Sequence, residues 1–150
     1  MKNNEVLDTL NDLIETSRNG QKGFDACARH AKAPELKSVF TSRASECERA
    51  AEELEAQVHA CGGRPERGGT AAAALHRGWL AVRSSLTGFD DHAMLEESER
   101  GEDVALHHYR KALEKDLPPE VRSLVARQCD GIQRNHDHIR ALRDRYPAAA

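Results

Sequence analysis

The chain has 150 residues, enough for one domain with a sizeable core, and 31% of them are charged while only 4% are aromatic. Few aromatic and β-branched residues favour a helical protein over a sheet protein. The formal net charge is -3 with both signs interspersed, which leaves no basic footprint for nucleic acid, and no apolar run approaches the ~20 residues of a membrane span. The opening "MKNNEVLDTLNDL" has no signal-peptide core, so cytoplasmic residence is the default expectation.

In chain order, the periodicity predicts five helices and no strands. The first follows a cap at Asn3 or Asn4 and covers about 4–30, with Val6, Leu10, Leu13, Ile14, Phe24, Cys27 and Ala28 at helical spacing. "KAP" interrupts it, and Pro34 suits the first position of a second helix, about 34–61, striped by Leu36, Phe40, Cys47, Leu54, Val58 and Cys61. "GGRPERGG" reads as a loop. Thr70 can then cap a shorter helix at about 71–86, whose stripe is Leu75, Trp79, Val82 and Leu86. "TGFDD" breaks the pattern again; Asp90 or Asp91 caps a helix at about 91–117, and Pro118 and Pro119 separate it from a last helix at about 119–145.

The lengths constrain the topology. Four of the helices have roughly 26 to 28 residues, about 40 Å each at 1.5 Å per residue. The first pair and the last pair are joined too tightly for anything but antiparallel hairpins. The segment between the pairs is long enough to return the chain along the bundle. The expected fold is therefore all-α, a single four-helix bundle of two antiparallel hairpins, with one long crossover that contains an additional short helix.

Each long helix carries a polar interruption near its middle. On the first, Ser17, Gly20 and Gln21 separate Ile14 from Phe24. On the second, "ECER" flanks the stripe with Glu46 and Arg49. On the helix from about 91, Ser98, Glu102 and Ala105 lie between Leu95 and Tyr109, with Glu102 inward and Glu99 and Asp103 expected outward. On the last, "QRNH" brings Gln133 and His136 beside Val125, Ile132 and Ile139, and Gln128 lies close by. Antiparallel pairing would put these middles at one level, and a polar layer in a core must pair its members.

Glu-x-x-His pairs on two helices, with a Glu from each of two others, build dinuclear metal sites in helical bundles. Against that pattern, "LNDLIETSRNGQKGF" and "ECERAAEELEAQVHACGGRPE" resemble the first hairpin of bacterioferritin-like proteins, down to the distance from Glu46 to the Gly62 loop. More closely, "LNDLIETSRNGQKGF", "ALHRGW", "ERGED", "DLPPEVRSLVARQ" and "IQRNHDHIRALRD" resemble a bacterial family of ferritin-like four-helix-bundle proteins of unassigned function, over nearly the whole chain. The resemblance implies a ferritin-like fold. It carries the helix 2 ligand positions onto Glu46 and Arg49, the third-helix Glu onto Glu102, the last-helix pair onto Gln133 and His136, and the helix 1 Glu onto or near Ser17.

Three of these six positions have lost ligand chemistry, and one loss is to Arg, which stays protonated in proteins. The expectation is a degenerate di-iron site: a metal-free polar network of Ser17, Gln21, Glu46, Arg49, Glu102, Gln133 and His136, with no cofactor. The alternative is an iron or manganese site on Glu46, Glu102 and His136, mononuclear or weakly dinuclear. No catalytic set appears, so the expected function is non-enzymatic: a cytoplasmic bundle that forms a homo-oligomer or binds a protein partner, with a stress role suggested by superfamily analogy only. The four cysteines read as reduced core residues, and most of the eight histidines as surface or capping groups. The Trp79 stripe reads as packing against the bundle, with a subunit interface as its alternative.

Overall fold

The computed structural model describes residues 2–65, 79 and 89–148. Among them are four long helices: α1 (Asn3–His30), α2 (Pro34–Ala60), α3 (Asp91–Leu113) and α4 (Pro119–Arg145). The helix expected at about 71–86 lies outside the described residues, Trp79 excepted.

Local chemistry sets the helix ends. Pro34 opens α2 and Pro119 opens α4, where a missing N–H costs nothing. Asp90 caps α3 by accepting from Ala93 N at 2.7 Å. The α1 cap differs from expectation: it falls at Lys2 without a side-chain bond, and Asn3 instead donates to Cys61 O at the far end of α2, at 3.1 Å. α2 stops in a Schellman turn. Gly62, at φ 81°, sends its N–H to His59 O, and Gly63 sends its own to Val58 O. α3 stops at Leu113 rather than near Leu117. Pro118 disfavours helical geometry at Leu117, and the Arg122 side chain takes the freed carbonyls of Leu113 and Lys115.

Contacts between helices fix their directions. Along α1, Thr16 meets His108, Ser17 meets Tyr109 and Cys27 meets Ser98, so rising numbers on α1 meet falling numbers on α3. Along α2, Glu35 meets Arg145, Glu46 meets Asn135 and Glu53 meets Arg127 on α4. α1 and α2 form one hairpin, α3 and α4 the other. Both α2 and α3 therefore run antiparallel to α1 and parallel to each other, so the chain crosses the bundle between them. Asp91 clamps the turn of the first hairpin to the start of α3, accepting from Lys32 N at 2.8 Å and Ala33 N at 3.0 Å.

The apolar interior is divided. One cluster gathers Phe24, Leu36, Phe40, Trp79, Leu95 and Ile139; the other gathers Leu10, Leu13, Leu54, Leu106, Tyr109 and Val125. Buried polar side chains lie between them. Trp79 belongs to the first cluster, as the sequence suggests. It is 1% exposed and meets Phe24 edge to face at a centroid distance of 5.0 Å. Its indole occupies notches at two glycines: a Cβ on Gly23 would come within 2.4 Å of the ring, and one on Gly101 within 2.2 Å.

Candidate functional site: an ion pair and cavity in the bundle centre

The α2 stripe runs Leu36, Phe40, Arg43, Cys47, Ala51, Leu54 and Val58, all buried. Arg43 is thus a core position by spacing, three residues from Phe40 and four from Cys47. Its guanidinium meets Glu102 of α3, with Nε and Nη2 both donating to Oε1, at 3.0 and 2.7 Å. Nη1 donates to Glu46 Oε2 at 3.1 Å, and Asn135 of α4 donates to the same oxygen at 3.0 Å. The Phe24 ring of α1 lies 5.1 Å from the guanidinium carbon, a cation–π distance. The cation on α2 thus meets α1 and α3 directly and reaches α4 through Glu46.

The electrostatics follow burial. Arg43 is 5% and Glu102 2% exposed. Burial works against the Arg43 charge, but Glu102 foremost, then Cys47 and Glu46, hold its pKa above the ordinary value. Burial raises the Glu102 carboxyl, and Arg43 opposes that rise by charge and by hydrogen bond. The guanidinium does not deprotonate in proteins, and its two hydrogen bonds to one Glu102 oxygen favour the carboxylate form. Beside it, Tyr109 donates to Gln128 Oε1 at 2.7 Å and lies 3.3 Å from Ser17 Oγ, and Gln128 donates to Ala50 O and Glu53 Oε1. Burial raises the Tyr109 phenol, which stays protonated.

This polar layer encloses a cavity of about 300 Å³. Phe24, Cys47 and Trp79 line it on the apolar side; Ser17, Arg43, Glu102, Tyr109 and Gln128 on the polar side. The lining arginines that are exposed, Arg49, Arg127 and Arg134, stand on α2 and α4, so its mouth lies between those helices.

The structure distributes the sequence-derived site residues unevenly. Ser17, Glu46 and Glu102 meet in the layer. The central cation is Arg43 and not Arg49: two residues past Cys47, Arg49 points about 200° away from the stripe and is exposed at the cavity mouth. Gln21 is half-buried and bonds Arg18 instead, at 3.4 Å. Gln133 faces α3 near the surface, between Arg110 at 2.5 Å and Asp137 at 3.0 Å. His136 is buried but turned toward α3. Its Nε2 lies 2.8 Å from Asp103 Oδ1 and 3.8 Å from Glu99 Oε2, out of line for a hydrogen bond to either.

Glu99, expected outward, is 6% exposed and takes Arg140 and Arg143 of α4, because α3 buries more than one stripe. Arg43 and Asn135 are the layer members that the sequence reading does not include, whereas Gln128 lies close to the layer in both. The signal for Arg43 is its place on the α2 stripe between Phe40 and Cys47.

The chain's place among known proteins can now be stated. A family model described as a domain of unknown function, DUF2383, matches residues 5–115. The chain belongs to that family. No individually curated protein matches it. Three solved structures resemble this DUF2383 chain at low sequence identity. The DPS protein of Vibrio cholerae O1, described as a member of a broad superfamily of ferritin-like diiron-carboxylate proteins, is 14% identical. Its TM-score is 0.74, over 93% of this chain and 89% of that one. A point mutant of Mycobacterium smegmatis Dps1 is 15% identical with TM-score 0.74, over 93% and 95%. A ferritin-like, diiron-carboxylate protein of Bacillus anthracis str. Ames is 20% identical with TM-score 0.69, over 97% and 98%. These likenesses establish the fold, a ferritin-like four-helix bundle.

The fold family raises the question of a di-iron centre, and the residues present do not fit one. Glu102 and Glu46 both hold the permanent charge of Arg43, and His136 is directed to Asp103 and Glu99. Among the described residues no three of His, Cys, Asp and Glu are grouped to hold a metal ion. No helix of the described residues is long and apolar enough to cross a membrane.

Proposed function

We propose that this DUF2383 chain is a non-enzymatic ferritin-like bundle whose central layer has exchanged metal chemistry for a fixed ion pair, and that it acts by binding. The observation that carries this reading is the Arg43 guanidinium, bonded to Glu102 and Glu46 in the middle of the core. Its single positive charge neutralises part of the carboxylate charge that a metal would otherwise neutralise, and it cannot be titrated away. Such a pair specifies which helices meet, and at what register, more than it adds stability. The expected partner is a second copy of the chain or another protein, in keeping with a small bundle that has no catalytic set. A sedimentation series across concentration gives the self-association state.

The rival reading takes its chemistry from the relatives named as diiron-carboxylate proteins. Ferrous iron added in air, followed by near-UV absorbance, separates the two. Untagged protein is expected to oxidise iron no faster than buffer. Saturable oxidation at a fixed iron-to-protein ratio would overturn the proposal.

A further inference from the structure

We infer that the central cavity is a binding site for a small organic carboxylate with a flat apolar body, an inference that rests on the metal-free reading of the layer. Its size, about 300 Å³, lies at the small end of ligand pockets, and its lining joins aromatic surface to polar and charged side chains. Phe24 and Trp79 supply ring faces and edges at the apolar side.

The charges define the head group. Among the described residues, four guanidiniums and three carboxylates line the cavity, an excess of one positive charge. The carboxylates are all engaged: Glu102 by Arg43, Glu46 by Arg43 and Asn135, and Glu53 by Arg127 and Gln128. Arg49 and Arg134 stand at the mouth with no ion pair or hydrogen bond among the described residues. One stands on α2 and the other on α4. A guanidinium matches a carboxylate bidentately, so two uncommitted ones at the entrance select a single anionic group there. The ligand's apolar body then points inward to the rings.

Trp79 is the sole tryptophan and lies on the cavity wall, so its emission reports occupancy directly. The test titrates the full chain with sodium benzoate, benzamide and inorganic phosphate, followed by Trp79 emission and by calorimetry. Benzoate is expected to saturate a Trp79 change. Benzamide, of nearly the same shape without the charge, should bind at least about tenfold more weakly. Phosphate, which has no apolar body, should leave the emission unchanged. Arg49→Met and Arg134→Met should each weaken benzoate about three- to fivefold, with an unchanged urea midpoint, since both side chains are exposed.

Equal binding of benzoate and benzamide, a Trp79 response to phosphate, unaltered benzoate affinity in the double variant, or no benzoate binding to millimolar concentration each overturns the assignment. Iron oxidation separates this failure from failure of the parent reading: silence to both iron and benzoate rejects only the ligand, whereas saturable oxidation rejects the metal-free layer itself.

Discussion

Arg43 of α2 and Glu102 of α3 come from parallel helices and meet through two hydrogen bonds to a single carboxylate oxygen. Removing one partner strands the other charge in the core. Arg43→Ala is expected to destabilise the protein by about 3–5 kcal/mol, whereas Arg43→Met combined with Glu102→Leu should recover most of that loss, because an apolar pair of similar volume avoids the desolvation of two ions. Urea denaturation of the two variants against the parent measures both values. A double variant no more stable than Arg43→Ala would mean that the pair contributes more than its own desolvation.

The seat of Trp79 makes a second prediction. Gly23→Ala and Gly101→Ala each place a methyl where the indole now lies, so the ring must leave or the helices must part. Red-shifted emission and a lower thermal midpoint are expected from both. Gly62→Ala is the contrast. Its left-handed φ of 81° should cost about 1–2 kcal/mol, yet open space surrounds its Cβ and Trp79 emission should not move.

Thiol chemistry gives a third. Burial pushes the Cys27 thiol up to about 11 and the Cys47 thiol up to about 12, and raises Cys129 as well. Cys61 is the one cysteine of intermediate exposure. Because the thiolate is the reacting form, one cysteine should react quickly with a disulfide reagent in the native protein and four in denaturant. A native count of two or more fast thiols would contradict the burial of Cys27, Cys47 and Cys129.

The fourth concerns pH. Burial lowers the His108 pKa below its ordinary 6.5, with His107 and Lys111 adding to the effect. Thr16 commits its hydroxyl proton to Asp12 O, so it accepts from His108 Nδ1, a bond that the neutral and the charged ring can both make. A depressed folded value means that the unfolded chain binds the proton first. The contribution to stability is therefore complete above 6.5 and is lost as pH falls below it, toward the lower folded value. Thermal melts from pH 8 to 5 should show this decline, and His108→Gln should flatten it.

Much of the architecture was legible in one dimension. The four helical stripes, the tight links at Pro34 and Pro118, and the long segment between the hairpins imply two antiparallel pairs and a crossover, because helix rise and loop length leave few ways to connect them. The presence of a polar layer was legible too, since Ser17 and Glu102 interrupt apolar stripes at mid-helix. Its members were less so. Glu46 and Arg49 drew notice as a near-motif, while Arg43 sat in an ordinary stripe position between Phe40 and Cys47.

What the sequence determined by itself was therefore the period of each helix and the level at which polarity enters the core. Which cation fills that level, which way His136 turns, and where Trp79 lodges were settled only by tertiary structure. A helix period assigns a residue to a face within one residue or so, but partners for a buried charge depend on what the other three helices bring to the same height. Arg43 reaches Glu102 because α2 and α3 run parallel across the bundle, and the glycine notches at Gly23 and Gly101 exist only where α1 and α3 pass each other.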